Sequence, residues 1–137
     1  MMSKPKQKLN FEKLCNSHFE QIIKTYDFKM IHSYFKWPNY KIFYYNTKIY
    51  ILIEYDARED YISVVLCTDQ CVSNQFDVKL KLNNYVIINN KSFHNRTKEK
   101  NIFRVFFNKI NIEKELTAYS NELFTNYSKY VDQILSI

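Results

Sequence analysis

The sequence predicts an α+β fold: an antiparallel meander sheet of about four to six strands, with N-terminal and C-terminal helices packed on one face. Three observations lead there. Apolar residues recur at three-and-four spacing near both ends of the chain. Between residues 29 and 66 the apolar period drops to two, and short polar turns punctuate that stretch.

Residues 1–8 are polar and basic and are expected to form a flexible N-terminus ahead of a single domain over 9–137. Phe11, Leu14, Cys15, His18, Phe19, Ile22, Ile23 and Tyr26 then line one face of a helix. Asn10 suits its N-cap, Glu12 its positive first turn and Lys24 its other end. In the next stretch Ile31, Ser33 and Phe35 alternate with Met30, His32 and Tyr34. Trp37, Pro38 and Asn39 break the run, and Pro38 sits at a boundary where a missing N–H does no harm. Tyr40, Ile42 and Tyr44 then alternate with Lys41, Phe43 and Tyr45. Asn46 and Thr47 make a short connection to Ile49, Ile51, Ile53 and Tyr55. A polar turn over 56–60 leads to Ile62, Val64 and Leu66. Short turns of this kind join neighbours antiparallel.

Further along, Phe76, Val78, Leu80 and Leu82 alternate with Asp77, Lys79 and Lys81 as a strand does. Residues 85–88 fit either another strand or a helical turn, 89–101 form a polar loop, and 102–107 are apolar around Arg104. A last helical stripe comprises Ile112, Leu116, Tyr119, Leu123, Phe124, Tyr127, Tyr130, Val131, Ile134 and Leu135, with Glu113 and Glu115 in its first turn.

Composition narrows the function. A chain of 137 residues with 46% hydrophobic and 18% aromatic residues can bury enough surface to offset its ordering entropy, so one folded domain is expected. Glycine is absent, which excludes the glycine-rich loops that cradle phosphates in P-loop and dinucleotide sites. Positions of positive φ must fall to Asp or to Asn residues such as Asn46, Asn83, Asn84, Asn89, Asn90 and Asn95. The net charge of +6 fits an acidic partner or dispersed solvated lysine. Only Arg58, Arg96 and Arg104 supply the guanidinium that phosphate readers favour, and dispersed lysine is the expectation. An odd number of cysteines (Cys15, Cys67 and Cys71) and a basic start without an apolar segment behind it are expected of reduced thiols in a cytoplasmic protein. No apolar run approaches membrane-spanning length, so no membrane association is expected.

No constellation reads as catalytic. Cys67 and Cys71 are spaced wider than a CxxC pair and lack further ligands nearby, so no metal or other cofactor is expected. His18 shares the apolar helix face, His32 lies on a strand and His94 in a polar loop. A general base is weaker for them than a structural role. Glu54, Asp56, Glu59 and Asp60 cluster at one strand end and its turn. Carboxylates from a second strand, which a two-metal nuclease draws on, are missing. The tyrosines are the notable surplus. Tyr34, Tyr40, Tyr44, Tyr45, Tyr50, Tyr55 and Tyr61 concentrate on the sheet, interspersed with Lys36, Lys41 and Lys48. An uncovered face of that composition suits a protein interface or stacked single-stranded bases, and strands also favour aromatics for packing alone.

The series Phe11, Leu14, Phe19, Tyr26-Asp27-Phe28, then Tyr44-Tyr45-Asn46, then the run 51–64 with Tyr55-Asp56-Ala57-Arg58-Glu59 at its turn, and a closing amphipathic helix, resembles small bacterial immunity proteins of polymorphic toxin systems, including contact-dependent inhibition. The resemblance covers most of 9–66 and loosely the last helix. That family usually carries Gly where Asp27 stands. The resemblance implies a binder of a cognate toxin that blocks an active site or an exosite, and it carries over no functional residues. Because this chain is basic, the toxin surface it meets is expected to be acidic or neutral, or else the acidic turn 56–60 faces a basic site locally. The expected activity is therefore protein binding without catalysis. The expected contact residues are Tyr44, Tyr55, Asp56, Arg58, Glu59, Asp60 and Tyr61. The alternatives are single-stranded nucleic-acid binding through Lys and Tyr of the open sheet face, or a small nuclease based on His32 or His94.

Overall fold

A computed structural model describes residues 4–68, 85–88 and 111–135. Helices α1 (Lys4–His18) and α2 (Glu20–Thr25) are followed by strands β1 (Lys29–Lys36), β2 (Asn39–Tyr45), β3 (Tyr50–Asp56), β4 (Tyr61–Cys67) and β5 (Tyr85–Ile87). Helices α3 (Ile112–Thr125) and α4 (Tyr127–Leu135) complete the described chain. The five strands lie in sequence order, each antiparallel to its neighbour. The expected meander and its flanking helices are thus present, and residues 85–87 resolve as a strand. The strand expected over 76–82, the loop over 89–101, the apolar stretch over 102–107, Cys71 and His94 lie outside the described residues.

Period-two alternation sends one set of side chains to the helices. Tyr40, Ile42 and Tyr44 of β2, Ile51 and Ile53 of β3, Ile62, Val64 and Leu66 of β4, and Val86 of β5 form a single core. The helices fill the other side of it with Phe11, Cys15, Phe19, Ile22, Leu116, Tyr119, Leu123, Tyr130 and Ile134. Burying large side chains of this kind contributes roughly 1.5–3 kcal/mol apiece. Tyr119 adds direction, donating its buried hydroxyl to the Ile62 carbonyl at 2.7 Å and so fixing α3 against β4.

The helix boundaries depart from expectation in two places. Asn10 lies within α1 and is no cap, because the helix already begins at Lys4 with Pro5 in a first turn where its missing N–H is harmless. The last amphipathic stripe runs over two helices, broken at Asn126, whose backbone and side-chain N–H groups both donate to the Glu122 carbonyl. Asn111 caps α3, accepting from the Lys114 N–H at 3.1 Å. At the first helical pair the backbone ladder passes through Phe19, so the apolar stripe stays on one side.

Among the described residues, positive φ falls to Asp27 (59°), Thr47 (72°) and Asp60 (53°). At the β2–β3 connection it is Thr47 and not the expected Asn46, whose side chain instead closes the turn. Asp27 ends α2: the Phe28 N–H reaches back to the Ile23 carbonyl at 3.0 Å, the bond pattern of a left-handed helix terminus.

Candidate functional site

In a meander, the first and third turns come to the same end of the sheet. Here those turns are the Trp37–Pro38 connection between β1 and β2 and the 57–60 connection between β3 and β4. Asn39 pairs with Lys36 on one side and Asp56 on the other, and Asp56 in turn pairs with Tyr61. The two turns are tied directly, since the Ala57 N–H donates to the Pro38 carbonyl at 2.8 Å.

The 57–60 turn is held from within. Asp56 Oδ1 accepts from the backbone N–H of Arg58 at 2.9 Å and of Glu59 at 3.1 Å, an Asx turn that needs aspartate or asparagine at this position. Asp60 supplies the positive φ and accepts the Tyr55 hydroxyl at 3.3 Å. Burial, then the Asp60 charge and hydrogen bond, push the Tyr55 phenol up to about 12. Tyr61 is half-buried, its phenol raised by burial and by Glu54. Arg58 and Glu59 project from the tip as exposed residues. Arg58 places its guanidinium carbon 5.4 Å from the centre of the Trp37 ring, which is 53% exposed.

Of the expected contact residues, the structure gathers Asp56, Arg58, Glu59 and Asp60 on one turn. Tyr55 packs half-buried against Phe11 and Tyr40 on the helix side, and Tyr61 lies on the opposite face of the sheet, near Glu54. Tyr44 has to be removed from that set. It is 1% exposed, faces the helices, and donates its hydroxyl to Asn16 Oδ1 at 2.5 Å. Its even-numbered place beside Tyr40 and Ile42 puts it on the core side of β2. Trp37, a strand break in the sequence pattern, is the largest exposed ring at this end. The signal that finds it is topological: alternate turns of a meander share an edge.

On the sheet face away from the helices, Phe43, Leu52 and Val65 make a second buried cluster, with Tyr85 packed against it. Lys41, expected to stud an open aromatic surface, is 7% exposed and lies 3.4 Å from Glu54 and 5.6 Å from the centre of the Tyr34 ring. Tyr45 and Tyr50 stack on each other at 4.4 Å. The middle of this side is thus buried, not open as expected, and half-buried residues surround it. Lys36 and Lys48 are the exposed members of the three lysines.

Among the histidines, His18 bridges helices. Its ring nitrogens lie 3.0 Å from Thr117 Oγ1 and 3.4 Å from Glu113 Oε1. Hydroxyl, imidazole and carboxylate in this order resemble a nucleophilic relay, but the Thr117 proton is committed to the Glu113 carbonyl at 2.8 Å. His18 Nδ1 is then the donor, and the arrangement fastens α1 to α3. His32 sits by Phe43, ring centres 6.1 Å apart. Among the described residues no group of three or more His, Cys, Asp or Glu could hold a metal ion, and no helix is long and apolar enough to cross a membrane.

Comparison with protein-family models, with curated proteins and with solved structures finds no match.

Proposed function

We propose that this chain is a protein-binding module that neutralises a cognate toxin in the cytoplasm, docking it at the sheet end formed by the Trp37 and Arg58 turns and performing no chemistry of its own. One observation carries the binding part: an exposed Trp and an exposed Arg are stacked on two turns that are locked to each other. Trp and Arg are among the residues that dominate protein interfaces, where a few well-placed anchors supply most of the affinity. Rigidity matters equally, since an anchor already ordered in the free protein loses little entropy on binding. The toxin as partner rests on the resemblance of 9–66 to immunity proteins.

Co-expression with the product of the adjacent gene tests this reading. The expected result is a purified complex of nanomolar affinity and rescue of growth in cells producing that toxin. Trp37→Ala is expected to weaken binding by about 2 kcal/mol or more while leaving the circular dichroism spectrum unchanged. Lack of complex and of growth rescue would dispose of the reading.

A further inference from the structure

We infer that Arg58, stacked on Trp37, is the receptor for a carboxylate on the partner protein, set beside an apolar side chain that packs on the indole. This rests on the protein-binding reading above and gives the partner its surface chemistry.

The turn's own carboxylates do not occupy the guanidinium. Asp56 Oδ1 is engaged by two backbone N–H groups, and Asp60 Oδ1 by the Tyr55 hydroxyl. Among the described residues Arg58 forms no ion pair. Its guanidinium nevertheless lies over an aromatic ring instead of ranging freely, 5.4 Å from the ring centre. A guanidinium held in this way presents its N–H fork pre-oriented, and that fork matches a planar two-oxygen acceptor. The Ala57–Pro38 hydrogen bond fixes the two turns against one another, so ring and fork are placed by the backbone.

A carboxylate and a phosphate both fit the fork. The surroundings separate them. Asp56, Glu59 and Asp60 all lie within two residues of Arg58. A nucleic-acid backbone would bring phosphates in series against these three charges. A protein surface can bring one carboxylate to Arg58 and a neighbouring cation to the exposed Glu59, which also forms no ion pair among the described residues. Lys36, exposed at the end of β1 beside Trp37, offers a second cation for an acidic partner surface. Charge complementarity therefore favours a protein with an Asp or Glu flanked by apolar and basic residues.

Trp37 is the chain's one tryptophan, so its emission reports this site alone in the free protein. The test titrates the toxin domain encoded by the adjacent gene into the full chain, read by calorimetry, and separately titrates single-stranded oligothymidylate, read by Trp37 emission. Arg58→Ala is expected to weaken toxin binding ~30-fold or more, and Arg58→Lys to remain ~10-fold weaker because an ammonium lacks the fork. Oligothymidylate is expected to leave Trp37 emission unchanged. Both variants change an exposed residue, and unchanged thermal melting checks their fold. Wild-type affinity in Arg58→Ala would overturn the inference and leave the protein-binding reading standing. No complex with the parent chain would overturn both. A shift of Trp37 emission by oligothymidylate would overturn the carboxylate assignment.

Discussion

Asp27 leaves α2 with φ 59°, a region where a side chain crowds its own carbonyl and only Asn, Asp and Gly are routinely found. Asp27→Gly removes that crowding at an exposed position and is expected to raise stability by about 1 kcal/mol, measured by urea denaturation. A fall in stability would mean that the aspartate side chain contributes more than its backbone strain costs. Tyr55 makes a different prediction. Its phenol holds its proton up to about 12 when folded, against the ordinary 10.0, so the native state binds that proton more tightly than the unfolded chain. Stability from this group is fully present below pH 10 and is lost as pH rises through 12. Tyr40, Tyr44, Tyr61 and Tyr127 are shifted in the same direction, so alkaline destabilisation is shared among them. Tyr55→Phe is expected to flatten the pH dependence between those limits, measured by denaturation at stepped alkaline pH. An unchanged slope would show that Tyr55 is neither buried nor held by Asp60 in solution.

The connection from β2 to β3 joins three elements through one amide. Asn46 Oδ1 accepts from the N–H of Lys48 and Ile49, closing the turn, while its Nδ2 donates to the Tyr26 carbonyl at the end of α2 and to the Tyr127 hydroxyl at the start of α4. Tyr26 and Tyr127 stack beside it with ring centres 3.6 Å apart. Asn46→Ala strands several partly buried polar groups at once and is expected to cost about 2–3 kcal/mol. Asn46→Asp keeps the turn acceptor and loses the donors, so it should fall between the two in urea denaturation. Equal stability of all three would mean that the junction holds by packing alone. Much at this scale is legible in the sequence. The alternation of Tyr40, Ile42 and Tyr44 with Lys41, Phe43 and Tyr45 orders β2 correctly, because a period of two leaves each side chain only two directions. The turn over 56–60 is legible because its residues are local in sequence and carry turn chemistry. Trp37 is not legible because its importance comes from Arg58 on a different turn, and Tyr44 is misplaced because a tyrosine's hydroxyl reads as a surface mark when its acceptor, Asn16, is on another element. Helix ends were least legible: Asn10 has the composition of a cap without the position of one.

Across the whole molecule, the sheet carries two apolar clusters, one under the helices and one around Phe43, Leu52 and Val65. Cys15 and Cys67 are both buried, and burial, followed by the Glu12 charge, pushes the Cys15 thiol up. Neither should react with a thiol reagent without opening of the fold. In a Cys71→Ser chain, labelling by a maleimide is expected to follow the unfolding rate and to accelerate with urea. Rapid labelling in buffer would reveal a looser native state than the packing implies. The outermost strand β1 has a further property. Its pairing with β2 slips between Met30 and His32, leaving Ile31 40% exposed, and lysines stand at both its ends. A strand with a kinked backbone and charged ends is a poor template for stacking another chain against it. The irregularity at Ile31 therefore leaves the margin of the sheet ill-suited to zipping edge to edge with a second copy.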